Sequence, residues 1–164
     1  MKTLRKRRKQ FKTDYGKRIK LLKSNSPRLV FRKSNKYVVA QYVVSKEAKD
    51  KIIFGESSKK LMNFGWPEEF KNSLKSIPAA YLLGFLAGNK MQKDKLEKPI
   101  LDFGMSRMIH KSKVYAFLKG VIDAGIEVKY KKDIFPEEDR LKGKSLKSDF
   151  TSHFEKIKSN IEKA

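Results

Sequence analysis

Between residues 27 and 41 the chain alternates strictly: Leu29, Phe31 and Lys33 fall on one side, Arg28, Val30 and Arg32 on the other. A period of two predicts a strand, Arg28–Lys33, and a second such pattern covers Lys36–Val44. Ser34-Asn35 joins them tightly, and Asn tolerates the left-handed backbone that short hairpin turns require. A third strand, Lys51–Ser57, follows the polar turn Ser45–Asp50, so an antiparallel meander is expected. In front of it, Tyr15, Arg18, Ile19 and Leu22 recur at i, i+3, i+4 and i+7 behind a capping Asp14, which predicts a short helix with a narrow apolar stripe. Residues 58–76 are irregular, with Gly65 and Pro67 as breakers. The single tryptophan, Trp66, reads either as a packed cap on the core edge or as a platform for a base.

The rhythm changes after residue 76. Pro78 suits the first turn of a helix whose run AAYLLGFLAG is apolar nearly all round. Ala80, Gly84 and Gly88, four apart, form a smooth stripe expected to lie on a sheet. KPILDFG then predicts a compact strand buried on both faces, as parallel strands are. Ser112 is placed to cap a helix in which Val114, Phe117, Leu118, Val121 and Ile122 share one face, and Gly125 stops it. Ile126-Glu127-Val128 predicts a last short strand. The polar tail ends in a helix with a Ser152/Glu155 capping box and Phe154, Ile157 and Ile161 on one side. The order is βββαβαβ: a mixed β-sheet with helices on its faces, α/β in class and ribonuclease-H-like in arrangement. Three parts are expected: a basic arm and short helix (1–26), an α/β domain (27–128), and a polar extension with a terminal helix (129–164).

Charge sharpens this picture. Of 40 Lys+Arg and 18 Asp+Glu in 164 residues, residues 1–46 hold 16 cations and one acid, Asp14. The net charge of +22 disfavours compaction unless a polyanion partners it, and nucleic acid is the first candidate. Arg5, Lys6, Arg7, Arg8 and Lys9 repel one another and have nothing apolar to bury, so the block alone is expected to be disordered. It reads as a nucleic-acid arm or as a solvated, localisation-like tail. There are no cysteines and two histidines, which leaves no disulfide or cysteine-based metal site. The longest near-apolar run, Ile77 to Gly88, is 12 residues against the roughly 20 a bilayer needs, so a soluble protein without a membrane partner is expected.

Catalytic signatures are missing: there is no Gly-rich nucleotide loop, HExxH or GxSxG. Metal-assisted phosphodiester cleavage needs several converging acids. Asp102 is the one acid in a buried-looking strand and Asp123 lies near the end of the following helix; the alternative for Asp102 is a structural carboxylate bonded to backbone. Glu137-Glu138-Asp139 reads as a solvated cluster. Neither metal nor cofactor is expected. Binding remains, with cations near Tyr15, Phe31 and Tyr37 offering phosphates attraction and bases a stacking surface. The basic loop of Arg107, His110, Lys111 and Lys113 adds plausible phosphate contacts.

The stretches KTDYGKRIKLLKSNSPRLVFRKSNKYVVAQ, IPAAYLLGFLAGNKM and ILDFGMSRMIHKSKVYAFLKGVIDAGIEV resemble, in this order, the archaeal form of ribosomal protein eighteen of the large subunit. Its eukaryotic relative is the 5S-rRNA-binding ribosomal protein five. The resemblance spans about residues 8–128. It implies a cytoplasmic ribosomal protein without enzymatic activity that binds 5S rRNA and helps fasten it into the central protuberance. Large-subunit rRNA and neighbouring ribosomal proteins are its other implied partners. Arg8, Lys12, Tyr15, Arg18, Arg28, Arg32, Ser34, Asn35 and Lys36 match the family's RNA-facing pattern. The resemblance makes the hairpin's cations phosphate contacts, with Arg32 forking two oxygens and Ser34 and Asn35 as uncharged donors. Departures are Lys111-Ser112-Lys113 where Gly-Ser-Arg is usual, which keeps charge but loses a guanidinium fork, and Lys129-Tyr130 where Pro-His is common. The competing readings are a basic ribonuclease-H-like nuclease and a non-specific nucleic-acid binder.

Overall fold

A computed structural model describes residues 6–10, 13–47, 49–128, 130, 134–146 and 150–164, without the side chains of Lys6 and Arg8. The meander forms as the alternation predicts: β1 (Arg28–Lys33), β2 (Val38–Lys46) and β3 (Lys49–Ser57) pair antiparallel, and β4 (Ile100–Asp102) runs parallel to β1. The sheet order is β3-β2-β1-β4. Leu29 and Phe31 point to one face, opposite Tyr42 and Ala40, and all four are buried in the main core.

Both hairpin turns differ from expectation. The β1–β2 loop is four residues, Ser34–Tyr37, closed by the Ser34 N–H donating to the Tyr37 carbonyl (2.8 Å). Asn35 is not among the residues with positive φ. The left-handed residue belongs instead to the β2–β3 turn, where Glu47 (φ 51°) allows Lys46 to pair directly with Lys49.

Residues 58–76 supply two 3₁₀ segments, Ser58–Phe64 and Glu68–Ser73. Trp66 is buried between them, its Nε1–H donating to the Phe70 carbonyl (2.9 Å) and its ring against Phe150 (4.6 Å). It is a cap on the core edge.

Helix α3 (Ile77–Lys93) starts where Ser76 accepts the Ala79 N–H (3.4 Å) and Pro78 needs no donor; every residue from Pro78 to Gly88 is buried. Its glycine stripe does not lie on the sheet. A Cβ on Gly84 would run into the Phe117 carbonyl and one on Gly88 into the Ala124 side chain, while Gly120 makes the reciprocal approach to Tyr81. The partner is α4 (Lys113–Asp123), so the small residues serve a close helix–helix crossing over the sheet's inner face. Phe117 reaches the sheet, its ring tilted against Phe31 at 4.6 Å.

Two more expectations need correction at this end. β4 is a three-residue edge strand in which Ile100 and Leu101 are only partly buried. Ile126–Val128 joins no sheet: Gly125 (φ 89°) ends α4 as expected, but the Ile126 N–H is already given to the Val121 carbonyl (3.3 Å). Ile126 and Val128 pack against the core as apolar contacts instead. The α/β class with a mixed sheet holds, with one strand fewer.

Capping also departs from pattern. Ser112 occupies the N-cap position of α4, yet its hydroxyl is buried and makes no cap bond. The Ser152/Glu155 box does not form, because Phe150 is fixed against Trp66 and Phe70 and becomes the N-cap, leaving Ser152 inside the first turn of α6 (Thr151–Lys163). Phe154, Ile157 and Ile161 of α6 enter the same core cluster as α3 and the sheet. Among the described residues no helix is long and apolar enough to cross a membrane.

Candidate nucleic-acid interface

The candidate residues lie far apart in sequence, and one topological fact gathers them. Because β4 runs parallel beside β1, Arg32 and Lys33 at the end of β1 and the loop that leaves β4 emerge from the same edge of the sheet. Ligands of α/β folds collect at such carboxyl ends.

The outer face of β1, away from α3 and α4, carries Arg28, Val30 and Arg32. Arg28 is only 3% exposed; its guanidinium donates to Asp102 (3.3 Å), Ser45 (2.8 Å) and Asp50 (2.8 Å). It cannot double as a surface phosphate contact. Burial drives its side chain to internal carboxylates, and it braces the face from within. Arg32 differs. Its side chain is 46% exposed, while Nη1 donates to the Phe31 and Asp102 carbonyls (2.8 and 2.7 Å) and Nη2 to the Asp102 carboxylate (3.1 Å). Asp102 also accepts the Gly104 N–H (2.8 Å). Burial alone would raise the Asp102 pKa, but the Arg32 hydrogen bond and charge, the Gly104 N–H and the Arg28 charge hold it below the usual carboxylate range. Asp50 is treated alike: burial raises it, and Ser45, Arg18 and Arg28 bring it down. Both are structural carboxylates. Asp123 is another, accepting the Tyr81 hydroxyl (2.8 Å) and pairing with Lys119 (2.9 Å).

Helix α2 (Tyr15–Lys23) begins as predicted, with Asp14 accepting the Lys17 N–H (3.1 Å), but it buries none of its residues, and Ile19 is 51% exposed. Polar bonds attach it: Arg18 to Asp50 (2.9 Å), and the Lys17 ammonium to the Gly104 carbonyl (3.2 Å). Arg18, Arg28 and Arg32 thus share two carboxylates while Lys17 rests on a carbonyl, so these four cations exceed Asp50 and Asp102 by two positive charges on this face. The sequence reading missed Lys17, which nothing distinguishes from the lysines around it.

The end of β1 and the β1–β2 turn present Lys33, Asn35 and Lys36 to solvent. The Ser34 hydroxyl is spent within the turn, accepting the Tyr37 N–H (3.0 Å) and donating to its carbonyl (2.9 Å), so it shapes the loop rather than reaching outward. Phe31 is fully buried and offers no stacking surface; Tyr15 and Tyr37 are half-buried. After β4, Arg107, His110 and Lys111 are exposed, interspersed with exposed Met105, Met108 and Ile109 that the sequence reading did not single out. Lys111 pairs with Glu137 (2.6 Å). Burial, followed by the charges of Lys75 and Lys33, lowers the Lys113 pKa, which brings the start of α4 into the same positive field as the end of β1.

At the N-terminus Lys6–Lys9 forms one helical turn, α1, where disorder is expected of the block in isolation; Arg7 donates to the Thr13 hydroxyl (2.9 Å), and Lys9 is exposed. That bond supplies the local partner an isolated cation run lacks. Arg5 and Lys12 lie outside the described residues, as do the side chains of Lys6 and Arg8. Among the described residues no group of three or more metal-ligating side chains converges. The arrangement suits charge-assisted binding of an extended polyanion.

Comparison with known proteins agrees. The family model for "Ribosomal large subunit proteins 60S L5, and 50S L18" matches residues 1–100. The chain is 44% identical over 142 residues to the large ribosomal subunit protein uL18 of Korarchaeum cryptofilum, covering 87% of this chain and 71% of that one. It is 36% identical over 159 residues to uL18 of Methanothrix thermoacetophila, covering 94% and 92%.

Proposed function

Because this chain belongs to the family of large-subunit ribosomal proteins 60S L5 and 50S L18, we propose that it binds 5S rRNA and anchors it in the central protuberance. The chain is a structural, non-enzymatic component of the large ribosomal subunit. The observation that supports the finer reading is the outer face of the sheet: three arginines from α2 and β1 on two carboxylates and Lys17 on the Gly104 carbonyl, with Arg32 held rigidly and half exposed. A fixed guanidinium discriminates backbone geometry as a mobile lysine does not. Arg18, Arg32, Asn35 and Lys36 with Lys17 form the central contact. Arg107, His110, Lys111 and Lys113 extend it along the sheet edge. Arg5 to Lys9 and Lys12 add charge from the arm, and Tyr15 a ring. Large-subunit rRNA and the neighbouring proteins of the protuberance meet the remaining surface.

The test is competition. The purified chain should bind cognate 5S rRNA in preference to random RNA or duplex DNA of equal length. Equal affinity for all three would leave only a generic polycation, and magnesium-dependent cleavage of the RNA would favour a nuclease.

A further inference from the structure

We propose that the turn Asp102–Phe103–Gly104 builds a seat for one RNA phosphodiester between Lys17 and Arg32, with Asp102 and Gly104 as its positioning residues. The inference rests on the RNA-binding reading above. Two cations from different elements converge on one residue here. The Lys17 ammonium donates to the Gly104 carbonyl (3.2 Å), and the Arg32 guanidinium lies flat against Gly104, so close that a Cβ there would sit 2.9 Å from its central carbon. Gly104 has φ +57°, and its N–H is held by Asp102 Oδ1, so one carboxylate both closes the turn and orients Arg32 through Oδ2. Only glycine meets both demands, the left-handed backbone and the missing side chain.

The donor inventory shows what is left for a ligand. A guanidinium has five N–H groups. The three bonds to Phe31 and Asp102 use both N–H groups of Nη1 and one of Nη2. The Nε–H and the other Nη2–H form the side fork that grips two oxygens of a phosphate. Beside them the Lys17 ammonium bonds a neutral carbonyl, and among the described residues no carboxylate pairs with it. Like charges held together by the protein itself are stable company for an anion set between them. Among the described residues, neither the arm nor the 105–113 loop holds a cation by three bonds in this way.

Filter binding of the full chain to 5S rRNA over a salt series, combined with phosphate-ethylation interference, tests the seat. Lys17→Gln, an exposed change that leaves the fold alone, should flatten the salt slope by about one. Arg32→Lys keeps the charge, so the slope should hold while affinity falls about tenfold through loss of the fork. In the double variant the losses should combine to less than their product, and the same ethylated phosphate should cease to interfere in both single variants. Asp102→Asn should weaken binding by the wild-type sequence but add little to Arg32→Lys. Independent, multiplying effects, or interference lost at different phosphates, would overturn the seat while leaving RNA binding standing. Unchanged RNA binding in all three single variants would assign the pair to an acidic protein neighbour. Failure of the unmodified chain to prefer 5S rRNA would instead remove the parent reading.

Discussion

Helices α2 and α3 both begin with a side-chain cap, Asp14 and Ser76, and there the likeness ends. α3 is buried from Pro78 to Gly88 and crosses α4 so closely that glycine is required. α2 buries no residue fully, leaves Tyr15, Leu21 and Leu22 half-buried, and is bonded to the rest of the fold by Arg18–Asp50 and Lys17–Gly104. Most helical stability comes from packing an apolar face. α3 is therefore part of what folds, whereas α2 is a basic element parked on a finished surface, held by exposed pairs that contribute little each. A helix attached that way can trade protein partners for phosphates without disturbing the core.

Alanine in place of glycine should act with opposite sign in the two helices, and this is the largest expected effect. At Gly84 the new methyl meets the Phe117 carbonyl, which is backbone and cannot step aside, so α3 and α4 must part. Gly84→Ala should lower unfolding free energy by about 2–3 kcal/mol, a typical overpacking cost. At Gly16 the methyl meets only the Asp14 carboxylate at 3.4 Å, an ordinary contact. Gly16→Ala should leave the urea midpoint unchanged while stabilising α2 locally, by up to about 1 kcal/mol of helix propensity. Equal destabilisation at both sites would erase the distinction between the helices.

Acid titration probes the charges under each helix. Beneath α3, buried Glu56 accepts from Lys90 (2.8 Å) and Lys60 (3.0 Å); burial raises its pKa, and the two lysines carry it below the ordinary 4.5. Beside α2, Asp102 and Asp50 lie below their ordinary 3.8 for the reasons given above. Carboxylates with depressed folded pKa values stabilise fully above the unfolded values and lose that stabilisation as pH falls through the folded ones. Stability should therefore hold above about pH 5 and fall progressively below pH 4. Glu56→Gln and Asp102→Asn should each flatten the acid limb, and Asp102→Asn should lower the neutral plateau more, because it leaves the desolvated Arg28 short of a partner whereas Lys60 and Lys90 keep access to water. An acid limb as steep as that of the unmodified chain would show that these pairs do not set the pH response.

The sequence made the inner side of this comparison readable and left most of the outer side hidden. Alternation in β1, the Pro78 start and the Gly125 stop are local signals, and each appears where the pattern placed it. Periodicity describes a face but not what covers it, so the smooth stripe of α3 was assigned to the sheet when α4 takes it. Arg28 shows the other blind spot. An arginine in an alternating strand reads as surface, and only carboxylates 22 and 74 residues away explain its burial. Lys17 stays anonymous for the same reason, because its partner is a backbone carbonyl 87 residues distant. Family resemblance supplied Arg18 and Arg32 as RNA-facing, and geometry added what holds them.

The two caps give the finest test of the comparison. Removing either by alanine deletes one bond to a first-turn amide, worth about 1 kcal/mol. For Ser76→Ala that loss should appear in the global unfolding free energy, since α3 and the core unfold together, and RNA affinity should be untouched. For Asp14→Ala the nine-residue α2 loses a cap it cannot replace by burial. Far-UV circular dichroism should then lose at most those residues' helicity, with no shift in the urea midpoint. RNA affinity should fall by a few-fold, because fraying of the helix unseats Lys17 and Arg18. Charge must be separated from capping, since Asp14→Ala also removes the arm's one acid and so favours any polyanion. Asp14→Asn is the reference: it makes the same charge change while asparagine caps as well as aspartate. Relative to Asp14→Asn, Asp14→Ala should bind 5S rRNA more weakly at every salt concentration with an equal slope, since both variants release the same number of counterions. Should Asp14→Ala instead lower the urea midpoint as far as Ser76→Ala does, α2 would belong to the cooperative core, and its role as a detachable RNA-facing element would have to be given up.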